Sequence, residues 1–444
     1  LVYQADEEHD ALLKAAVNEM FSENYLNPLA FKSLHRMERE VVRMTASMLH
    51  GDENAVGVMT SGGTESILLA MLAYRQYARK MQPNISRPEI VLPSTAHPAF
   101  DKAAFYFGLQ LKKVPVTIEL AADTEAMEKM INGNTILLVA SAPSYPHGIL
   151  DPIEKLSAIA LKHKLPLHID SCIGGFMLPW LEKLGHPIPR WDFRVPGVTS
   201  ISADVHKFGF GPKGTSVITY RSMDHLRHQF TVTTDFPGGI YLSPTLLGTR
   251  PGSNIAAAWA SLMHLGEAGY MRIANQLMEA TEKLKQGLLA IDGIRIMGAP
   301  VMNLVAFGTD NNAPDIYVVA DQLEEKGWMV DRQQFPVCIH LTVLPTNMAL
   351  IEEYLTDLLQ AMNYARKHRG AVAKGNAAVY GMMARVTFRG MVEHSVRKMM
   401  EDLFGGGLPQ QSSPKEKKER TVMRSPWWMG WMNRILRKWE QLRK

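Results

Sequence analysis

What this chain of 444 residues lacks narrows its class. It has no run of 18 or more apolar residues, so no segment reads as bilayer-spanning. Cysteine is nearly absent. Cys172 and Cys338 cannot support a disulfide framework, and a reducing compartment is the default expectation. No secretory signal pattern is present, and no internal repeat is visible. The chain opens on Leu1 rather than Met, which leaves room for an upstream segment. The expected location is therefore cytoplasmic, or peripheral on a membrane surface. Excess charge is missing from the body as well. The net charge is +4, but residues 415–444 hold ten Lys/Arg and three Glu, leaving −3 on the rest. A body of that charge argues against nucleic acid as a partner.

What is present is ordinary globular material, 46% hydrophobic and 21% charged, in a chain long enough for two or more domains. Residues 10–24 and 34–50 have helical spacing; Leu34, Met37, Val41, Met44 and Met48 recur every three or four positions. Short apolar runs at 89–93, 135–141, 165–170, 197–203 and 215–220 read as buried strands. Helical patterns near 98–107, 123–132 and 152–163 separate most of them. That alternation predicts an α/β fold with a mostly parallel sheet covered on both faces. Residues 250–291 read as two successive long helices. Beyond 293, strands at "IRIMG", "NLVAFGT", "WMVDRQ" and "CIHLTVL", with helices at 314–326 and 347–368, predict a smaller α/β domain. The expected division is an N-terminal helical segment over 1–50, a large domain over 51–290, a small domain over 291–404, a linker over 405–425 and a tail helix over 426–444.

Four features carry chemistry. Asp170 ends the apolar strand "LPLHID", where a carboxylate is a cap, a structural acceptor or a group at the ligand-binding edge of the sheet. "TSGGTES" (60–66) leads from a strand into a helix. Its bare N–H groups and hydroxyl suit a phosphate, although a plain glycine turn with Thr64 as helix cap reads equally well. His97 follows a strand and opens a helix, where capping and catalysis are both open readings. Lys207 follows "SISADVH", and lysine is the side chain that forms imines with carbonyl cofactors. An anion cradle, a strand-end carboxylate and a strand-end amine are together what pyridoxal 5′-phosphate (PLP) needs. His97 could stack on its ring. No metal is expected.

"TSGGTESILLA", "AHPAFDKAA", "LHIDSCIGGFMLPW", "SISADVHKFGFGPKG" and "SPTLLGTRPGS" resemble the sphingosine-1-phosphate lyase family, PLP enzymes of fold type I. The resemblance runs from about Val2 to about residue 400. It implies a fold type I large domain with a seven-stranded sheet, and a homodimer with shared active sites. Lys207 would carry the Schiff base, Asp170 would pair with the pyridine nitrogen, His168 would reach the ring hydroxyl and His97 would stack. Gly63, Thr64 and His206 would hold the cofactor phosphate, joined by Thr249 from the second subunit. Lys213, in "PKG", and Tyr3 would read the substrate's own phosphate; without the resemblance, Lys213 reads as a solvent-facing turn residue. One position departs from the family: Ala30 stands where relatives carry a histidine that contacts phosphate, with Asn27 and His35 as possible substitutes.

The activity so implied is retro-aldol cleavage of a phosphorylated long-chain base, with Lys207, Tyr145 and Tyr241 as candidate bases. The alternative is an amino-acid decarboxylase of the same fold, acting on glutamate or an aromatic amino acid. Cys172 is expected to face away from the site and Cys338 to sit in a core. In the tail, Trp428, Trp431, Ile435, Trp439 and Leu442 fall at spacings of three and four among basic residues. That pattern suits either an anionic membrane surface or docking on the protein itself.

Overall fold

The computed structural model describes residues 2–26, 30–310, 313–368 and 389–405. The expected tail helix, and the linker from residue 406 on, lie outside the described residues.

Among the described residues the main sheet has seven strands in the order β1-β7-β6-β5-β4-β2-β3. They are β1 (Val56–Thr60), β2 (Glu89–Pro93), β3 (Gln110–Val114), β4 (Thr135–Ser141), β5 (Leu167–Asp170), β6 (Val198–Ala203) and β7 (Ser216–Tyr220). Pairing is parallel from β3 through β2, β4 and β5 to β6. It is antiparallel at β6–β7 and again at β7–β1. Two reversals make β1 run with β6. The carboxyl ends of β1, β2, β4, β5 and β6 therefore meet at one edge, where open α/β sheets bind ligands.

Both faces of the central strands are covered, which is why β2 and β4 are buried throughout and mostly apolar. Helices α1 (Glu7–Glu19), α2 (Lys32–Met48), α3 (Gly63–Met81), α4 (Ala99–Phe107), α5 (Thr124–Met130), α6 (Ile153–His163), α7 (Leu178–Lys183) and α8 (Met223–Leu226) follow in chain order. One core cluster packs Leu69, Met71 and Tyr74 of α3 with Phe100 of α4 and Ile90, Leu92 and Leu137 of the sheet. Truncating one such side chain to Ala would cost about 2–5 kcal/mol.

Three strands escape the apolar-run reading. β3 is "QLKKV" at the sheet edge, where exposed charge discourages further pairing. The pair β8 (Thr231–Thr233) and β9 (Tyr241–Ser243) forms a separate exposed hairpin. Helix α9 (Gly252–Leu289) contains a non-helical residue, Gly266, at φ 52 and ψ −171. The two expected long helices are thus the two halves of α9, and glycine is the residue that tolerates that positive φ.

The chain folds as two compact units. The first comprises Leu1–Gly287, Ile296–Ala306 and Thr342–Glu352; the second comprises Leu288–Arg295, Phe307–Leu341 and described residues from Glu353 on. A four-stranded sheet has the order β10-β11-β13-β12, from β10 (Ile294–Ile296), β11 (Leu304–Thr309), β12 (Asp331–Gln334) and β13 (Val337–Thr342). Its helices are α10 (Ile316–Glu325) and α11 (Ile351–Lys367), and α12 (Arg389–Phe404) follows. Among the described residues no helix is long and apolar enough to cross a membrane.

Candidate active site

The site is built at the carboxyl edge of the main sheet, within the first unit. Hydroxyls fix its floor. Thr60 Oγ1 lies 2.7 Å from Ser66 Oγ, Ser66 Oγ lies 2.8 Å from Ser216 Oγ, and Ser216 Oγ donates to the Ala203 carbonyl at 3.1 Å. This chain ties the start of α3 to β1, β7 and β6 at once. Gly62 is the N-cap of α3 at φ 139, a conformation that favours glycine. No side chain caps this helix, so Thr64 is not the cap that one reading of the sequence allowed. Instead Glu65 turns back: its Oε2 accepts from Ser61 N at 2.6 Å and its Oε1 accepts from Leu246 N at 3.0 Å. The bare N–H groups of the first turn, and the positive end of a 19-residue helix, are left for an anion.

A cavity of about 560 Å³ opens over this turn. Gly63, Thr64, His97, Lys102, Asp204, His206 and Lys207 are among its walls, with Leu246 and Leu247 on the apolar side. Lys207 Nζ lies 3.1 Å from Asp204 Oδ2. Burial works against the lysine's charge, but the Asp204 carboxylate more than offsets it and the pKa rises. His206 Nδ1 accepts from Thr215 N at 3.3 Å, which leaves the proton on Nε2, 3.5 Å from Asp204 Oδ2. Burial lowers the pKa of His206.

Asp170 ends β5 behind the cavity wall, joined to it through Cys172. Its Oδ1 accepts from Cys172 N at 3.1 Å and from Ser202 Oγ at 3.3 Å, while Oδ2 makes no hydrogen bond among the described residues. Two positions back on the same strand face, His168 is fully buried. Its Nδ1 lies 2.8 Å from Ser200 Oγ and its Nε2 lies 3.5 Å from Ser202 Oγ. Burial pushes its pKa down to about 4, so it is neutral at physiological pH.

The expectation for Cys172 is corrected. The turn made by Cys172 N on Asp170 brings the thiol back into the cavity wall. There Sγ donates to Ser202 Oγ at 3.3 Å, and burial keeps it a thiol. Strand alternation does not extend past Asp170, because the strand ends there. Asp204 had no place in the sequence reading, although it stands three residues before Lys207 in "ADVHK". An acid one turn from a reactive lysine is the signal that could have found it.

Tyr3 and Lys213 do meet. Lys213 Nζ lies 5.0 Å above the Tyr3 ring and donates to the His206 carbonyl at 2.9 Å. Phe208 holds the other side of Tyr3 edge-on, with ring centroids 5.1 Å apart. Burial, then the nearby Lys207 charge, lowers the pKa of Lys213. Asp170, His168, Tyr3, Lys213, Tyr145, Tyr241 and Thr249 are not among the cavity walls, and Thr249 is exposed. Ala30 lies in an exposed turn, Asn27 is outside the described residues, and His35 Nδ1 is engaged by the Tyr25 hydroxyl at 2.7 Å.

Three kinds of similarity agree with this geometry. The model of the pyridoxal-dependent decarboxylase conserved domain matches residues 6–310. The sphingosine-1-phosphate lyase of Oryza sativa is 43% identical over 400 residues, covering 89% of this chain and 74% of the relative. Sphingosine-1-phosphate lyase 1 of Rattus norvegicus is 41% identical, covering 93% and 74%. The chain belongs to the sphingosine-1-phosphate lyase family. A solved lyase of this family, from Burkholderia pseudomallei, superposes with a TM-score of 0.80 at 42% identity, over 83% of this chain and 86% of that one. A glutamate decarboxylase of Lactobacillus brevis, 21% identical with a TM-score of 0.71, shares the fold, covering 81% of this chain and 86% of that one.

The fold is that of the PLP-dependent decarboxylases, and the cofactor is PLP. The residues present fit that group. A Cβ on Gly63 would come within 2.7 Å of the Asp204 carboxylate and 2.8 Å of Cys172 Sγ, so the cradle accepts backbone only. A lysine, a strand-end carboxylate with one oxygen to spare and a helix N-terminus supply the three chemistries such a cofactor uses.

Proposed function

We propose that this chain cleaves the C2–C3 bond of sphingosine 1-phosphate and related phosphorylated long-chain bases, yielding a long-chain aldehyde and phosphoethanolamine. The observation that carries this over amino-acid decarboxylation is the second cation. Lys213, backed by Tyr3 and engaged by no carboxylate among the described residues, stands beside the cofactor lysine's loop and suits a phosphate on the substrate. When bound, PLP supplies an electron sink for the carbanion left by bond cleavage.

The chain's own residues then divide the work. Lys207 is the proposed attachment point, Asp170 Oδ2 the partner of the ring nitrogen, and Gly63, Thr64 and His206 the phosphate holders. His97 would cover the ring. Neutral His168, engaged by Ser200 and Ser202, would reach the ring hydroxyl only by giving up the 3.5 Å contact of its Nε2 with Ser202. The substrate's C3 hydroxyl must lose a proton as the bond breaks. Lys207, on the cavity wall, is the favoured acceptor, with Tyr145 and Tyr241 as the alternatives. Incubation with sphingosine 1-phosphate should release aldehyde and phosphoethanolamine in equal amounts. Carbon dioxide from glutamate or an aromatic amino acid, with no aldehyde, would overturn the reading.

The same proposal includes a homodimer, in which Thr249 reaches the cofactor phosphate of the second subunit. Exposed Phe230, Val232, Phe236, Ile240, Leu242 and Leu247 supply an apolar face next to Thr249 for that contact. A monomeric mass in light scattering would refute it. It also includes the division into a cofactor-binding large domain over 51–290 and a small domain over 291–404, and peripheral membrane contact through 426–444. Equal liposome flotation with and without residues 415–444 would remove the membrane contact.

A further inference from the structure

Asp204 has no place among the residue roles proposed above. It is 2% exposed, at the end of β6. One oxygen, Oδ2, faces Lys207 Nζ at 3.1 Å and His206 Nε2 at 3.5 Å. The other, Oδ1, is buried with no hydrogen-bond partner. The carboxylate also abuts the first turn of α3, as the close approach to Gly63 shows. A buried carboxylate with one oxygen unpartnered is costly, and the pairing it makes is with the one lysine proposed to react.

We propose that Asp204 is a positioning residue that holds Lys207 as its ammonium and thereby controls how fast the lysine captures the cofactor's aldehyde. This rests on Lys207 as the attachment point. Capture forms a carbon–nitrogen double bond from the lysine nitrogen, breaks the carbonyl bond and expels its oxygen as water with the two amine hydrogens. The nitrogen attacks with its lone pair, so the third ammonium proton must leave to solvent first. Asp204 opposes that loss and steadies the nitrogen in front of the cradle. The charged and titratable groups facing Lys207 are Asp204, Cys172, Tyr3, His206 and Lys213, on the 204–214 turn after β6, the turn after β5 and the N-terminal segment. Burial keeps Cys172 and Tyr3 protonated, which leaves Asp204 as the counter-ion.

The test is cofactor capture, read without turnover. The full chain is freed of cofactor, mixed with PLP, quenched with borohydride at timed intervals, and the reduced adduct on the Lys207 peptide is weighed. An opposite charge this close moves an amine by about one to three pKa units, so Asp204→Asn should capture about tenfold faster or more at pH 7. Asp204→Ser removes the same charge with less bulk and should do likewise. In the unsubstituted protein the capture rate should still be climbing with pH at pH 9, because the neutral amine is scarce throughout. A rate in either variant equal to or below that of the unsubstituted protein overturns the proposal, as does a plateau below pH 8 in the latter. Lys207→Ala separates the layers. Adduct elsewhere in the chain overturns the attachment point and the proposal together. No adduct in Lys207→Ala, with an unchanged rate in Asp204→Asn, overturns the role of Asp204 alone.

Discussion

Lys207 on the cavity wall, at the floor, and Lys213 beside the cavity, at the rim, are treated oppositely. Lys207 is largely buried and paired with a buried carboxylate, and its pKa is raised. Lys213 is more exposed, bonded among the described residues to a backbone carbonyl and an aromatic face, and its pKa is lowered. The contrast teaches how one short stretch, 207–213, serves two tasks. A lysine that must react at one atom is fixed by a counter-ion and hydroxyl scaffolding. A lysine that must receive a mobile anion keeps its charge uncommitted, because a resident carboxylate would compete with the ligand.

The strongest way to break the comparison is at the floor. Lys207→Ala should abolish turnover, by about a thousandfold or more, and leave no reducible cofactor adduct. Retained turnover would remove the lysine from the chemistry. Asp170→Ala should lower kcat by about a hundredfold, since it deletes a fixed charge facing the proposed ring position. An unchanged kcat would mean that Oδ2 serves no ligand. At the rim, Lys213→Ala should raise KM by about ten- to a hundredfold while leaving the cofactor's absorbance in place. Added salt should shrink that difference, because the rim is reachable by ions and the floor is not. Loss of cofactor colour in this variant would erase the floor-and-rim distinction.

Two smaller effects sharpen the floor itself. Gly63→Ala forces a methyl against Asp204 and Cys172 and should cost about 1–3 kcal/mol, read as a lower Tm. Gly133→Ala, where a Cβ meets nothing within 4 Å, should be nearly silent. His168 sits at about 4 when folded against 6.5 for the free side chain, so the unfolded chain binds the extra proton first. Its contribution to stability is present above pH 6.5 and is lost as the pH falls toward 4, on the order of 3 kcal/mol in total. His168→Gln should flatten that part of the denaturation profile, and an unchanged slope would place the titration elsewhere.

Much of the fold was legible in the chain because its signals are local. The apolar runs of β2 and β4 are buried on both faces, so they stand out without any alternation to decode. The Gly-Gly turn, Asp170 and Lys207 each carry chemistry in their residue type and their place at an element's end. β3 was illegible because an edge strand needs no apolar run.

What the amino-acid sequence determined by itself was the parts list: an anion turn, a strand-end acid, a reactive lysine and a second lysine in "PKG". Tertiary structure decided which of them meet. It turned Cys172 back into the wall, engaged both nitrogens of His168 with serines of the next strand, and drew Tyr3 over Lys213 across more than 200 residues of chain. It also set Asp204 against Lys207, a pairing whose strength comes from burial rather than from spacing. Residue type is encoded locally, whereas the dielectric and the partners that tune a charge are supplied by whatever the fold packs around it.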